Sequence, residues 1–339
     1  MKFSIGYQLP DPDEEPFSEI VSEFREHIAE VYFPWLAVPS GRSPLTTRDG
    51  FVDWAEQARL ESDLAVFKKM GLKLNLLLNG NCYGAASLSR QFEHLIISII
   101  ERLAEVAAVD IVTTSSLMVA RALKRHFPKV HVRASVNMRI GTIKGMEYVS
   151  EYFDGYCMQR EYNRDLKRID ELCRWTRRHG KELQILFNSG CLNFCSGQVF
   201  HDNLVAHEAE ISGVVNVKDF NPSVCWSYYA DKAHWATFLQ NSWVRPEDVG
   251  HYEAWFPVGK LATRMHGNPR KVIQAYSAGR FYGNLIDLLE PGHNPIFSPF
   301  FIDNTAFPPD WFEKTTSCDK KCENCSYCAN VLKLVLKSA

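Results

Sequence analysis

The sequence has no long apolar run and no strong excess of charge of one sign. No stretch approaches the ~20 apolar residues that a membrane-spanning helix needs, so we expect no membrane span. The formal net charge is −2. Basic residues gather only in short segments at 124–133 and 177–181, which are typical of solvated helix ends. A nucleic-acid partner is therefore left open but is not supported by charge.

The common catalytic signatures are also missing. The sequence contains no G-x-S-x-G, H-E-x-x-H, Walker loop or G-x-G-x-x-G. Their absence argues against a serine hydrolase, a zincin, a P-loop enzyme and a dinucleotide dehydrogenase. A peptidase would need a nucleophile or a metal-bound water that no motif in this sequence supplies.

The 339 residues, 46% of them hydrophobic, are enough to bury a large core. Short apolar runs alternate with longer amphipathic stretches, which is the pattern of repeated βα units on a parallel sheet. The predicted strands are residues 3–7, 30–35, 73–78, 111–114, 131–134, 155–158, 183–187 and 259–264. Eight strands with eight crossovers predict an α/β fold, a (β/α)8 TIM-like barrel over residues 1–290.

Two segments depart from this alternation. Residues 191–257 form a Cys-rich insertion before the last strand, and long insertions after a barrel strand usually belong to the active-site face. Residues 291–339 form a C-terminal tail that carries a four-cysteine metal motif.

Seven of the ten cysteines lie in these two segments. They are Cys191, Cys195 and Cys225 in the insertion and Cys318, Cys322, Cys325 and Cys328 in the tail. The tail run reads C-x3-C-x2-C-x2-C, and such a tight run suits one compact iron–sulfur cluster. Structural zinc usually takes its ligands from two knuckles separated by a spacer, which this run lacks, so zinc is the alternative at the tail.

Two other uses of the cysteines are less expected. Disulfides belong to oxidising compartments, whereas this long chain begins with an acidic stretch at 11–15 instead of a leader peptide, which predicts a cytoplasmic protein. The first three tail cysteines match the C-x3-C-x2-C run of radical-SAM enzymes. Those enzymes carry the run after their first barrel strand, whereas here it is C-terminal and Cys328 can complete the ligand set. We therefore predict one or two 4Fe–4S clusters.

Polar residues follow the C-terminal ends of the predicted strands, where the loops of a barrel converge. They are Gln8, Asn79, Asn81, Cys82, Thr114, Ser115, Ser116, Asn137, Arg139, Gln159, Arg160, Asn188, Cys191, Arg264 and His266. Any one of them is more often a turn or cap residue, but their joint placement predicts a polar cavity for a small-molecule substrate. The planar guanidinium groups of Arg139, Arg160 and Arg264 suit a carboxylate or a phosphate. A histidine usually titrates near neutrality, which makes His266 an acid–base candidate. Arg160, Arg264 and His266 are the predicted catalytic residues.

Residues 109–276 resemble peptidase family U thirty-two, the collagenase-like peptidases. The resemblance rests on the strand at 130–137, Phe153-Asp154, the strand at 182–187 with Asn188-Ser189-Gly190-Cys191, Cys195-Ser196-Gly197, Lys260 to Arg264 with Met265, Pro269 and Tyr276. The Cys-bearing segment and the Lys-x3-Arg element are the most specific of these.

The resemblance implies an iron–sulfur protein that hydroxylates without O2. Members of the family modify RNA bases or act as a heterodimeric pair in ubiquinone biosynthesis, with prephenate as the oxygen source. The resemblance therefore implies a carboxylate oxygen donor and a redox or family partner protein. It also implies one 4Fe–4S cluster held by four cysteines, of which Cys191, Cys195 and Cys225 match by motif.

The sequence departs from the family at the fourth ligand, because residues 242–248 contain no cysteine. Cys82, at a strand end, is the predicted substitute. The function predicted is thus an iron–sulfur redox enzyme, an O2-independent hydroxylase. The alternatives are a peptidase and a non-catalytic electron carrier or maturation partner.

Overall fold

The computed structural model describes residues 1–11, 13–36, 38–41 and 53–338; Ala339, the end of the predicted tail, lies outside them. Eight parallel strands follow one another around a closed barrel, and the eighth pairs with the first. The strands are β1 (Lys2–Gly6), β2 (Ile28–Pro34), β3 (Lys73–Leu78), β4 (Ile111–Thr114), β5 (His131–Ala134), β6 (Gly155–Cys157), β7 (Glu182–Leu186) and β8 (Val258–Lys260). The predicted TIM-like barrel is confirmed.

Helices lie between the strands and in the two additional segments. They are α1 (Phe17–Glu23), α2 (Trp54–Lys69), α3 (Arg90–Val106), α4 (Leu117–His126), α5 (Ile143–Glu147), α6 (Leu166–Arg178), α7 (Gln198–Ala206), α8 (Glu208–Ser212), α9 (Val224–Tyr229), α10 (Ala236–Leu239), α11 (Pro269–Ala278), α12 (Asn294–Phe297), α13 (Trp311–Thr316) and α14 (Tyr327–Val335). None of those in the described part of the chain has the length and apolar character of a membrane span.

The tail packs on the insertion. Its two short strands, β9 (Phe300–Ile302) and β10 (Leu336–Ser338), pair antiparallel, and α14 lies against α10. The Trp311 ring is buried and stacks on Trp243, with 5.8 Å between ring centroids. The cysteine run of the tail is therefore held against the insertion by an aromatic core.

The barrel interior contains a charged pair. Glu30 on β2 and Arg133 on β5 are almost fully buried, and Arg133 Nη1 lies 3.0 Å from each Glu30 oxygen. Because β2 and β5 are not neighbours in the sheet, the two side chains meet across the interior. Ser4 and Asn75 each donate a hydrogen bond of 2.7 Å to Glu30 Oε1. The buried carboxylate is thus paired and hydrogen-bonded, as a buried charge must be.

Candidate functional site

A cavity of about 150 Å³ opens at the C-terminal ends of the strands, where barrel enzymes place their active sites. The mouth cavity, as we call it, is lined by loop residues and by side chains from the insertion. Its polar lining comprises Tyr32, Asn79, Asn137, Arg160, Ser189, Cys191, Cys195, Gln198, His201, Asp202, Cys225, Lys260, Arg264 and Glu290.

The three insertion cysteines all line this cavity. Cys191 follows β7, Cys195 ends the same loop and Cys225 lies in α9. Between the first two, Phe194 adopts a left-handed φ of 51°, a strained conformation that occurs most often at functional sites. A Cβ on Gly197 would lie 2.5 Å from Val224 Cγ2, so this glycine allows the Cys195 loop to approach the helix of Cys225.

A buried arginine lies beside these thiols and can balance the negative charge of their thiolate forms. Burial, together with negative charge at Cys191 and Cys195, raises the pKa of the Cys225 thiol to about 11. Arg160 is buried beside the same two cysteines. Burial alone would lower the pKa of its guanidinium, but Cys191 and Glu161 outweigh burial and raise it. Arg160 is therefore a fixed cation next to thiols that become anionic when they ligate a metal.

The donor set fits an iron–sulfur cluster in its chemistry. Cys thiolates are the ligands of such clusters, and a buried cation beside them offsets their negative charge. In the described ranges, no three His, Cys, Asp or Glu side chains are arranged to hold a metal ion as they stand. Ligation would therefore require the three thiols to draw together around the metal.

Arg264 and Lys260 bring two further basic side chains to the cavity. Arg264 is only 7% exposed and its Nη2 donates to the backbone oxygen of Gly41. Lys260, the last residue of β8, is 9% exposed, and its Nζ lies 4.0 Å from the centroid of the Tyr32 ring. The sequence put Lys260 at the start of an eighth strand over 259–264, where it could equally lie at the opposite face, so only Arg264 was expected to reach the cavity. Because β8 ends at Lys260, this lysine also lies at the mouth.

His266 does not line the mouth cavity. Its Nδ1 accepts a hydrogen bond of 3.0 Å from the Asn268 backbone N–H, just before α11. Burial lowers the pKa of the imidazole. Its position favours a structural role in the loop after β8 over the predicted catalytic one.

Cys82 is also absent from the cavity lining. Its thiol is hydrogen-bonded to His207, which lowers the pKa of Cys82, and accepts a 3.3 Å hydrogen bond from Gly84 N–H. His207 Nδ1 in turn lies 2.9 Å from Glu210 Oε2. The structure does not bring Cys82 to the three insertion cysteines.

Two other predicted strand-end residues, Ser116 and Asn188, make hydrogen bonds outside the cavity lining. Ser116 caps α4 by accepting from Val119 N–H at 3.3 Å. The Asn188 side chain joins the β7 end to the loop after β8 through Ala262, with hydrogen bonds of 2.9 and 2.6 Å. These residues shape the mouth without facing a ligand.

The tail cysteines form a second group. Backbone N–H groups donate to two of their sulfurs, Lys320 to Cys318 at 3.3 Å and Tyr327 to Cys325 at 3.5 Å. Lys320 has a left-handed φ of 63°. Hydrogen bonds to sulfur and a left-handed residue within the C-x3-C loop fit a thiolate centre.

A buried arginine faces this group. Arg164 lies 4.4 Å from the Trp243 ring centroid, and its guanidinium donates to the backbone oxygens of Trp243 and Leu239. In the part of the chain that the structure describes, it forms no ion pair. Burial lowers the pKa of Arg164 to about 10, an effect that negative charge at Cys328 opposes. An anionic metal–thiolate centre in the tail would supply the missing counter-charge.

All ten cysteines are free. Cys157 and Cys173 are buried core residues, and burial raises the pKa of both thiols.

The fold and this site define a TIM-barrel protein with a thiol-lined mouth. No family model matches the chain. The uncharacterized protease MJ1657 of Methanocaldococcus jannaschii is 25% identical over 324 residues, which cover 94% of this chain and 92% of the relative. The solved structure of the U32 peptidase Mk0906 shares the fold, with a TM-score of 0.51 and 17% identity over 77% of this chain and 92% of its own. The predicted resemblance to the U32 peptidases is thus confirmed.

Proposed function

We propose that this chain is a U32-type iron–sulfur redox enzyme, an O2-independent hydroxylase that acts on a small-molecule or RNA substrate in the reducing cytoplasm. The observation that carries the proposal is the convergence of Cys191, Cys195 and Cys225 on a cavity that also contains Arg160 and Arg264. The cavity therefore contains thiols that can ligate a cluster and guanidinium groups that can bind a carboxylate.

Each group has a role in this proposal. The three thiolates would hold the cluster, which supplies one-electron redox chemistry when bound. Arg160 offsets the negative charge of Cys191 and Cys195. Arg264 binds and orients an anionic substrate against the same wall.

The cavity favours catalysis over simple electron carriage. A carrier needs a buried centre and a docking surface, whereas this site has a polar hollow at the face where barrel enzymes bind substrates. The tail cysteines would hold a second centre that accepts electrons from a redox partner, and Cys318 and Cys325 are exposed to such a partner.

Anaerobic purification with iron, sulfide and zinc quantification, followed by EPR after reduction, tests the proposal. We expect iron and acid-labile sulfide in equal amounts and a reduced-cluster EPR signal. Protein that contains zinc alone, or no metal after anaerobic preparation, would exclude an iron–sulfur enzyme.

A peptidase is the second candidate, and one observation favours it. Cys82, His207 and Glu210 form a hydrogen-bonded series with the order of a thiol nucleophile, a base and an orienting carboxylate. The relative from Methanocaldococcus jannaschii is itself named a protease. Under this candidate, Cys82→Ala abolishes cleavage of a quenched fluorescent peptide library and Cys173→Ala does not. A wild-type protein that cleaves no peptide removes the candidate.

A further inference from the structure

Lys260 is the most unusual side chain in the mouth cavity. It is 9% exposed, its Nζ lies over the Tyr32 ring, and it lines the cavity. Within the described ranges, its ammonium group forms no hydrogen bond and no ion pair. A lysine ammonium group has three hydrogen-bond donors, and burying them without acceptors costs free energy. A ligand in the cavity could supply these acceptors.

The surroundings of Lys260 lower the pKa of its amine. Burial lowers the pKa of Lys260, and the cations Arg264 and Arg133 lower it further, against the opposing effects of Cys157 and Glu30. A desolvated lysine next to other cations is the arrangement in which an amine becomes nucleophilic at neutral pH.

We propose that Lys260 forms an imine with an aldehyde or ketone substrate whose carboxylate is bound by Arg264. Both side chains line the same cavity and come from β8 and the loop directly after it. Arg264 is held close to β1, since a Cβ on Gly6 would lie 2.7 Å from Arg264 Cβ. The inference names the substrate class of the site proposed above but does not depend on a bound cluster.

The reaction needs no oxidant or reductant. The Nζ lone pair attacks the carbonyl carbon, the C=O π electrons move to oxygen, and a proton passes from nitrogen to that oxygen. The hydroxyl group then leaves as water with a proton taken from solvent, and the nitrogen keeps its remaining proton, so the product is the protonated C=N bond. The protonated imine is a cation, and it stays over the face of the Tyr32 ring, where a cation–π contact stabilises it.

Reductive trapping tests the inference on the full wild-type chain. The metal-free protein and the protein as purified are each incubated with pyruvate and sodium cyanoborohydride, and the modified lysines are mapped by peptide mass spectrometry. We expect a reduced adduct on Lys260 that forms at least about tenfold faster than on any surface lysine, because the carboxylate contact holds the carbonyl near the amine.

Two comparisons sharpen the test. Acetone has no carboxylate, so its adducts should form no faster on Lys260 than on surface lysines. Arg264→Lys should reduce the rate of adduct formation with pyruvate at Lys260 and leave the rate at surface lysines unchanged. Adducts confined to surface lysines in both preparations would contradict imine formation at Lys260. Because the metal-free protein is also tested, failure of the imine and failure of the iron–sulfur proposal are separate results.

Discussion

At the scale of single residues, Arg264 gives the most direct prediction about ligand binding. Its planar guanidinium can bind a carboxylate through two parallel hydrogen bonds, which a lysine cannot reproduce. Losing such a charge-assisted contact costs on the order of 1.5–3 kcal/mol. We therefore expect Arg264→Lys to weaken binding of a carboxylate ligand such as prephenate at least about tenfold in calorimetric titration.

Arg270→Lys is the matched control. Arg270 pairs with Glu15 and Glu23 on the outside of the barrel, so its replacement should leave the affinity unchanged. Unchanged affinity in Arg264→Lys, with normal cluster content, would make Arg264 a structural residue.

The insertion cysteines give the second residue-scale prediction. Cys191→Ser and Cys195→Ser should each abolish the visible absorption of an iron–sulfur chromophore at the mouth, because a hydroxyl is a poor ligand for iron in such a cluster. The readout is iron and sulfide content together with the absorption spectrum. Cys173→Ala, in the core of α6, should keep both. Full iron and sulfide in both serine variants would refute a cluster at these positions.

The sequence predicted some of these residues and missed others for physical reasons. Arg160, Arg264 and the three insertion cysteines were predicted at one cavity because they follow strand ends or lie in the insertion. Lys260 was expected at the start of the eighth strand, where it could equally lie at the opposite face, whereas β8 ends at this residue. Cys82 was expected near the other cysteines, and its contact with His207, 125 residues away in the sequence, has no local signal.

At the scale of elements, the tail should hold its own centre. Its four cysteines lie within eleven residues, so they can close a site without the insertion, and Cys328 lies near the buried Arg164. Truncation before Cys318 should remove one metal centre and leave the central one. Replacing the four cysteines by serine gives the same test with α14 retained. Loss of both centres together, or of neither, would contradict independent sites.

The strands were predicted better than the loops around them. The structure gives β3, β4 and β5 the predicted bounds. The predicted C-terminal end of the eighth strand was wrong: the prediction extended to Arg264, whereas β8 ends at Lys260. The apolar residues beyond Lys260 look like strand, but Ala262 N–H bonds the Asn188 side chain instead of a neighbouring strand.

At the scale of the whole molecule, the buried ion pair between Glu30 and Arg133 affects the free energy of unfolding. Arg133→Met leaves the Glu30 carboxylate without its counter-charge, so we expect a loss of about 3–5 kcal/mol in the free energy of unfolding, measured in urea. The double variant Glu30→Leu, Arg133→Met should recover most of that loss. Equal losses in the single and double variants would contradict this account.

The same pair predicts a pH dependence. Burial alone would raise the pKa of Glu30, but Arg133 and hydrogen bonds from Asn75 and Ser4 outweigh it and hold the pKa below its ordinary value. A lowered folded-state pKa contributes stability that is present above the unfolded pKa of about 4.3 and is lost as the pH falls through the folded pKa. The stability difference between wild type and Arg133→Met should therefore narrow in acid, and a difference that widens there would contradict the pairing.

The alternation of βα units predicted a parallel sheet, and the count of eight units predicted its closure into a barrel. The sequence could not predict the Glu30–Arg133 pair, whose members are 103 residues apart and belong to strands that are not neighbours. Nor could it predict the packing of the tail on α10.

The central claim is that the three mouth cysteines alone hold a redox-active cluster. The most direct measurement is the iron and sulfide content and the EPR spectrum of the reduced full-length variant in which Cys318, Cys322, Cys325 and Cys328 are serine. We predict about four iron and four sulfide per chain and the signal of a reduced 4Fe–4S cluster. A variant that folds, contains neither iron nor sulfide after anaerobic preparation and gives no signal would contradict the claim.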